Sequence, residues 1–248
     1  MEEQLEGRNA VLEALRSGRP VNKVLIANGT VAGPVREIIA LAKKRGIPVQ
    51  EVDRKQITYL GVTAATQGVI AYAAPKDYVT LESILQAAKA KREDPLLVLL
   101  DHLEDPQNFG SLLRTADSAG VHGVIIPKNR TVQLTAAVSR VSAGAVEYVP
   151  VARVTNLSRT LDDLKQAGLW IAGADMEADT NYYDADLAGP LGLVIGSEGH
   201  GISRLVKAKC DFTVRIPMRG SIASLNAAVA GAILLYEAVR QRQQKCAK

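Results

Sequence analysis

Cysteine is scarce in this chain: there are two residues, Cys210 and Cys246, far apart and without metal-ligand spacing. That argues against a disulfide scaffold or a thiolate metal site and fits a reduced, cytoplasmic compartment. Aromatic residues make up only 4%, too few for the continuous stacking surface of a single-strand binder. The histidines, His102, His122 and His200, form no pair at metal-binding spacing, so no metal is expected. No apolar run approaches the roughly 18 residues of a membrane span. The acidic first residues lack the basic-then-apolar pattern of a secretory leader. No GxGxxG motif follows the first strand, so the standard dinucleotide fingerprint is missing.

What is present points to a folded, mildly basic protein. The chain has 248 residues, of which 47% are hydrophobic, and a formal charge of +4. That is enough apolar material for one large domain or two smaller ones. The charge is uneven. Residues 1–75 carry ten Lys/Arg against seven Asp/Glu, while residues 76–95 balance at four each. The basic residues of the first part include Arg8, Arg16, Arg19, Lys23, Lys43, Lys44, Arg45, Arg54 and Lys55. They form either an ordinary solvated face or a phosphate-tracking surface for RNA.

Residues 1–75 read as a small α/β unit. Glu6-Gly7-Arg8-Asn9 leads into a short helix, AVLEALRSG, and strands cover VNKVLIANG, IPVQEV and QGVIAYAA, with helices between them. Pro75 and Pro95 bracket a polar, Ala/Lys-rich stretch read as an interdomain linker, helical over residues 81–91. From Leu96 strands and helices alternate, which predicts a largely parallel sheet covered on both faces. VEYVPVARV is expected as a strand region and residues 224–241 as a long helix. That helix is apolar nearly all round, so it must be buried in its own core or against a partner subunit.

Three loops carry polar groups at strand ends, where open α/β sheets place ligands. In DHLEDPQNFGSLLRTADSAG, residues 101–120, a helix is expected to open at Gly110. Gln107, Asn108 and Phe109 then fall in the preceding loop, with Arg114 about one and a half turns along the helix. Asn108 offers a donor and an acceptor, and Arg114 a planar cationic fork that suits phosphate. In IGSEGHG, residues 195–201, glycines allow close backbone approach to a ligand around Glu198, unless the loop is a plain turn. In IPMRGSIASLNAAVAGAILLYE, residues 216–237, Ser224 and Asn226 either cap the last helix or aim at a ligand.

Taken in order, these three segments resemble the motifs of the SpoU class of SPOUT methyltransferases, the RNA 2′-O-ribose methyltransferases. GRNAVLEALRSG followed by VNKVLIANG is similar to the substrate-binding domain of the subgroup that methylates a guanosine of 23S ribosomal RNA. The resemblance covers essentially the whole chain. It implies an L30e-like α/β domain over residues 1–75, a linker over 76–95 and a SPOUT domain with a deep trefoil knot and mainly parallel sheet over 96–248. It also implies S-adenosylmethionine as cofactor, a homodimer packed through the carboxyl-terminal domain, and ribosomal RNA as partner. By motif position, Gly196, Ile216 and Leu225 contact the cofactor, and Asn108, Arg114, Glu198, Ser224 and Asn226 form the catalytic neighbourhood. The family's third motif often reads Ser-Leu-Asn-Val-Ser; here Ala227 and Ala228 follow Asn226, so no catalytic role falls on Ala228. Arg114 is either the base or a clamp on the target phosphate. Three other readings stay open: a tRNA ribose methyltransferase, an adenosine-directed rRNA resistance enzyme, and a non-catalytic RNA-binding or assembly factor.

Overall fold

A computed structural model describes residues 2–30, 33–63, 65–221 and 224–246. In chain order the first elements are β1 (Glu3–Glu6), α1 (Arg8–Arg16), β2 (Val21–Ala27), α2 (Pro34–Lys44), β3 (Val49–Val52), α3 (Arg54–Leu60) and β4 (Val69–Ala73). Then come α4 (Leu81–Lys91), β5 (Leu96–Leu100), α5 (Pro106–Ser118), β6 (Gly123–Pro127), α6 (Ala136–Val141) and β7 (Val151–Val154). The last are α7 (Leu157–Gln166), β8 (Trp170–Ala174), β9 (Leu191–Ile195), α8 (Arg204–Lys207), β10 (Phe212–Val214) and α9 (Ala227–Cys246). Among the described residues no helix is long and apolar enough to cross a membrane.

The chain divides into two compact units: residues 1–77 with 133–148, and residues 78–132 with 149–248. The first unit is a four-stranded sheet in the order β1-β4-β2-β3, parallel only between β2 and β3. Alternation along β2 sorts its side chains. Val24 and Ile26 join the core with Val11, Leu15 and Ile38 of α1 and α2, whereas Leu25 and Ala27 meet Ile57 of α3. Strand β1 lies outside the expected elements, because EQLE has no alternation long enough to read.

The expected domain boundaries and these units differ in two places, the stretch 76–95 read as a linker and residues 133–148. Residues 133–148 group with the first unit, held there by packing of α6 against β1 and by an ion pair. Arg19, buried among them, ion-pairs with Glu3 and, at 2.7 Å, with Glu147. Removing Arg19 would leave Glu3 without an ion-pair partner among the described residues and Glu147 with Lys76 alone, and an uncompensated buried charge is costly. The same segment corrects the strand expected to begin near residue 146: residues 145–147 form a 3₁₀ turn and β7 starts at Val151. The stretch read as a linker holds the expected helix α4, but the helix is packed rather than solvated. Ile84 is 1% exposed in a core with Leu97, Leu99 and Ile125. Gly123 leaves it room, since a Cβ there would lie 2.5 Å from Ile84 Cδ1.

The second unit is built on a six-stranded sheet, all its pairings parallel, in the order β10-β8-β9-β5-β6-β7. Every residue of β5, LLVLL, is buried, as a central strand covered on both faces requires. Sequence runs outward from β5 through β6 to β7 on one side, while β9 flanks β5 on the other. The switch point of the sheet therefore lies between β5 and β9, and the crevice beyond their carboxyl ends is where such sheets bind ligands.

Candidate active site

The crevice is walled by the segments at the carboxyl ends of β5, β8, β9 and β10. Asp101, 2% exposed, anchors it. Its backbone N–H donates to Ile195 O at 2.9 Å, extending the β5–β9 ladder. Its carboxylate accepts from Ser203 N at 2.7 Å and pairs with His102 Nδ1 at 2.7 Å. The first motif's helix starts earlier than expected. Asp105 caps α5, accepting from the N–H groups of Gln107 and Asn108 at 3.1 Å each, and Pro106 takes the first helical position. Asn108 thus sits in the first turn of a helix, 6% exposed, instead of in a loop. Pro106 needs no N–H there, and its fixed φ favours the helix start.

The second motif closes on itself. Ser197 N donates to Gly201 O at 3.1 Å and Gly201 N to Ser197 O at 2.9 Å. Gly196 is obligatory: a Cβ there would lie 2.1 Å from the carbonyl carbon of Gly201. Glu198 is carried at the tip of this turn. Its Oε1 accepts from Asn108 Nδ2 at 3.0 Å, Asn226 Nδ2 at 2.6 Å and Ala227 N at 3.3 Å. Asn226 Nδ2 also donates to Asn108 Oδ1 at 2.7 Å. One residue from each of the three motifs therefore meets in a single network.

Asn226 takes the capping role of its two alternatives and spends its amide on protein partners. Its Oδ1 caps α9, accepting from Ala228 N at 3.0 Å and Val229 N at 3.2 Å. Its amide hydrogens are both used in the network, so it positions the other two side chains. Helix α9 begins at Ala227, three residues later than expected. Gly231 lets it approach α5 closely, since a Cβ there would be 2.6 Å from Leu112 Cδ1. That approach brings Asn226 to Asn108.

Two cavities adjoin the network. The first, about 360 Å³, is lined by Gly196, Ile216, Ser224 and Leu225, all expected at the site, and by Ala174–Glu177 and Leu234. The second, about 480 Å³, is lined by His102, Glu104, Asp105 and Asn108. Ser197, Glu198, His200 and Gly201 face both. The sequence reading missed Ala174–Glu177. These residues stand at the carboxyl end of β8, and the expected strand LWIAGADM ran through the tip that the strand-end rule would have marked. Arg114 lines neither cavity. It is exposed on α5, its guanidinium without a hydrogen-bond or ion-pair partner among the described residues.

The basic residues of the first unit divide. Arg16 pairs with Glu13 and Glu37, Arg19 is buried with its glutamates, and Arg45 donates to the carbonyls of Leu15, Gly18 and Arg19. These three hold the fold. Lys43, Lys44, Arg54 and Lys55 are exposed, with no ion-pair partner among the described residues.

A crevice with two chambers at the switch point of a parallel α/β unit is the frame of a ligand-binding enzyme. The chain belongs to the SpoU rRNA Methylase family, whose model matches residues 95–236. A second model, RNA 2′-O ribose methyltransferase substrate binding, matches residues 4–79. YacO of Bacillus subtilis (strain 168), named as a TrmH family tRNA/rRNA methyltransferase, is 49% identical over 236 residues, 95% of this chain and 94% of that one. The crystal structure of the SpoU methyltransferase AviRb from Streptomyces viridochromogenes, in complex with AdoMet, matches with a TM-score of 0.81 at 30% identity. The match covers 98% of this chain and 91% of that one. An AdoMet-bound rRNA methyltransferase from Sinorhizobium meliloti matches with a TM-score of 0.79 at 27% identity, over 96% and 87%. The A. aeolicus TrmH/SpoU tRNA modifying enzyme matches with a TM-score of 0.57 at 28% identity, over 66% and 86%.

Proposed function

We propose that the protein methylates a ribose 2′-oxygen, that of a guanosine in 23S ribosomal RNA, using S-adenosylmethionine. The observation that carries this reading is the adjacency of the two cavities across Glu198. One cavity suits a cofactor and the other opens beside it for a sugar. The first cavity fits S-adenosylmethionine by its chemistry. Ile216, Leu225 and Leu234 offer apolar walls to a purine, and Ser197, Ser224 and Glu177 offer polar groups to the amino-acid end. Gly196 keeps the backbone bare where a Cβ has no space. When bound, the cofactor supplies a methyl group on a sulfonium.

The chain's own residues orient the acceptor. Asn108 keeps one amide hydrogen beyond its bond to Glu198, and Glu198 keeps Oε2, which has no partner among the described residues. Together they hold the ribose hydroxyl in line, where alignment is worth about 7–11 kcal/mol of the barrier. Asn226 fixes both side chains, and Ser224 lines the cofactor side. Arg114 acts as base or, since guanidinium stays protonated in proteins, as a clamp on the target phosphate, whose oxygen or a nearby water then takes the 2′-hydroxyl proton. Lying outside both cavities of its own chain, it serves the site of a partner copy in a homodimer packed along α9. Val229 and Tyr236 on that helix are 48% and 50% exposed and apolar. The carboxyl-terminal unit is threaded as the deep trefoil knot of its class. Residues 1–75 hold the RNA, and 76–95 connect them to the catalytic residues of 96–248.

Ribosomal over transfer RNA is favoured by coverage. The S. meliloti rRNA methyltransferase matches 96% of this chain, whereas the A. aeolicus tRNA modifying enzyme matches 66%. Mapping 2′-O-methyl groups in 23S rRNA and tRNA from a strain lacking the gene is expected to show one rRNA guanosine losing its methyl, restored by the parent gene. Loss confined to tRNA would replace the substrate.

A further inference from the structure

Unit 1 uses buried polar groups to hold an apolar surface out in water. Glu6, 4% exposed at the end of β1, receives the turn after α3. Val62 N donates to its Oε1 at 2.6 Å; Thr63 N and Oγ1 donate to its Oε2 at 3.2 and 2.6 Å. Gln4 Nε2 bridges Glu6 and Leu60 O. Burial alone would raise the Glu6 carboxyl, but the bonds from Thr63, Val62 and Gln4 outweigh it and hold the group below its ordinary range. Gly61 is wedged so that a Cβ would lie 2.6 Å from Thr66 Cγ2. This turn is fixed in place.

What it presents is nonetheless out of the core. Tyr59 is 88% exposed and Val62 82%. Within α3 only Ile57 is buried. Arg54, Lys55, Thr58 and Tyr59, with the capping Asp53, line a shallow recess. Neither cation has an ion-pair partner among the described residues. A bare aromatic ring beside two unpaired cations, on a rigid support, is the chemistry that recognises a base and its flanking phosphates. Overall composition argues against a continuous stacking platform, but one exposed ring is enough for one base.

We infer that α3 and the turn after it form a contact for single-stranded RNA, with one base stacked on Tyr59 and phosphates held by Arg54 and Lys55. This rests on the reading of the chain as an RNA methyltransferase and names where the RNA is gripped. The occupant is RNA rather than protein because the two cations outnumber the one carboxylate of the recess, Asp53, whose Oδ1 is engaged in capping the helix, and the unit matches a model for RNA substrate binding.

The test uses the full chain, a fluorescein-labelled single-stranded RNA of mixed sequence and its fully paired duplex. Tyr59→Ala is expected to weaken single-strand binding by about 5- to 150-fold, the range for losing one stacked base. Its salt dependence should stay unchanged, and Tyr59→Phe should bind as the parent. Arg54→Ala with Lys55→Ala is expected to flatten the slope of log affinity on log salt by about 1.4, roughly 0.7 for each phosphate contact. Duplex binding should not respond to Tyr59→Ala. Parent-like single-strand binding by Tyr59→Ala, or equal losses on duplex and single strand, overturns the contact, as does a Tyr59→Ala defect confined to binding of a ribosomal protein. If the parent transfers no methyl group to any RNA, the functional reading fails instead, which separates the two.

Discussion

Glu198 Oε1 collects three donors, from Asn108, Asn226 and the first N–H of α9. A carboxylate accepts such bonds strongly, and the positive end of a long helix adds to the attraction. The arrangement makes Glu198 a positioning hub, with a second oxygen left for a ligand. Gly196 and Glu198 therefore separate two losses. In Gly196→Ala the new methyl meets backbone that has nowhere to move, so S-adenosylmethionine binding by calorimetry is expected to disappear. In Glu198→Ala the cavity stays open while Asn108 and Asn226 lose their shared acceptor. Single-turnover methyl transfer should then fall by about 100-fold, the cost of misplacement near 1 Å, with cofactor affinity falling far less. Equal loss of rate and affinity in Glu198→Ala would assign it to bracing the loop alone.

At the level of elements, β5 and its neighbours hold the site at a fixed place on the sheet, and His122 ties β5 to the residues before it. Its Nδ1 accepts from Leu96 N at 3.1 Å and its Nε2 lies 3.1 Å from Glu93. Burial lowers the imidazole pKa, against the raising influence of Glu93. The folded state therefore favours the neutral ring, and the unfolded chain binds the proton more readily. The stability this contributes is full above the ordinary imidazole value of about 6.5 and is lost as pH falls toward the lowered folded value. Thermal unfolding between neutral pH and about pH 5 should show that loss. His122→Asn, which keeps an acceptor for Leu96 N, should reduce the slope; an unchanged slope would mean that His122 is not its source. Most elements were legible because their signals are local: LLVLL reads as a buried strand, and Thr80 and Asn156 cap the helices that begin after them. The observed start of α5 precedes the expected one because Asp105-Pro106, a turn signal that ends the strand, also caps the helix. Strand β1 and the placement of residues 133–148 depend on partners distant in sequence, Ala71, Ala73 and Arg19, and no local pattern announces them.

The whole molecule joins a unit with unpaired surface cations to a unit with a two-chambered crevice. The meeting of Asn108, Glu198 and Asn226 was legible only through the resemblance of three separated motifs, since neither spacing nor periodicity measures a distance across 118 residues. Arg114 belongs to this scale, because its own chain leaves it outside the crevice. An Arg114→Ala chain and a Glu198→Ala chain, each strongly impaired alone, are expected to recover methyl transfer when refolded together, one site of the mixed dimer then having both residues. No recovery in a mixture shown to contain mixed dimers would place Arg114 and Glu198 in the same chain's site.

Transfer of a methyl group to a ribose oxygen is read directly by alkali. Alkaline cleavage of RNA needs a free 2′-hydroxyl. After incubation of 23S rRNA with the protein and methyl-tritiated S-adenosylmethionine, the label should therefore survive hydrolysis in dinucleotides. Label recovered in mononucleotides would mean that a base is methylated, and label absent from RNA altogether would mean that the crevice does not perform this transfer.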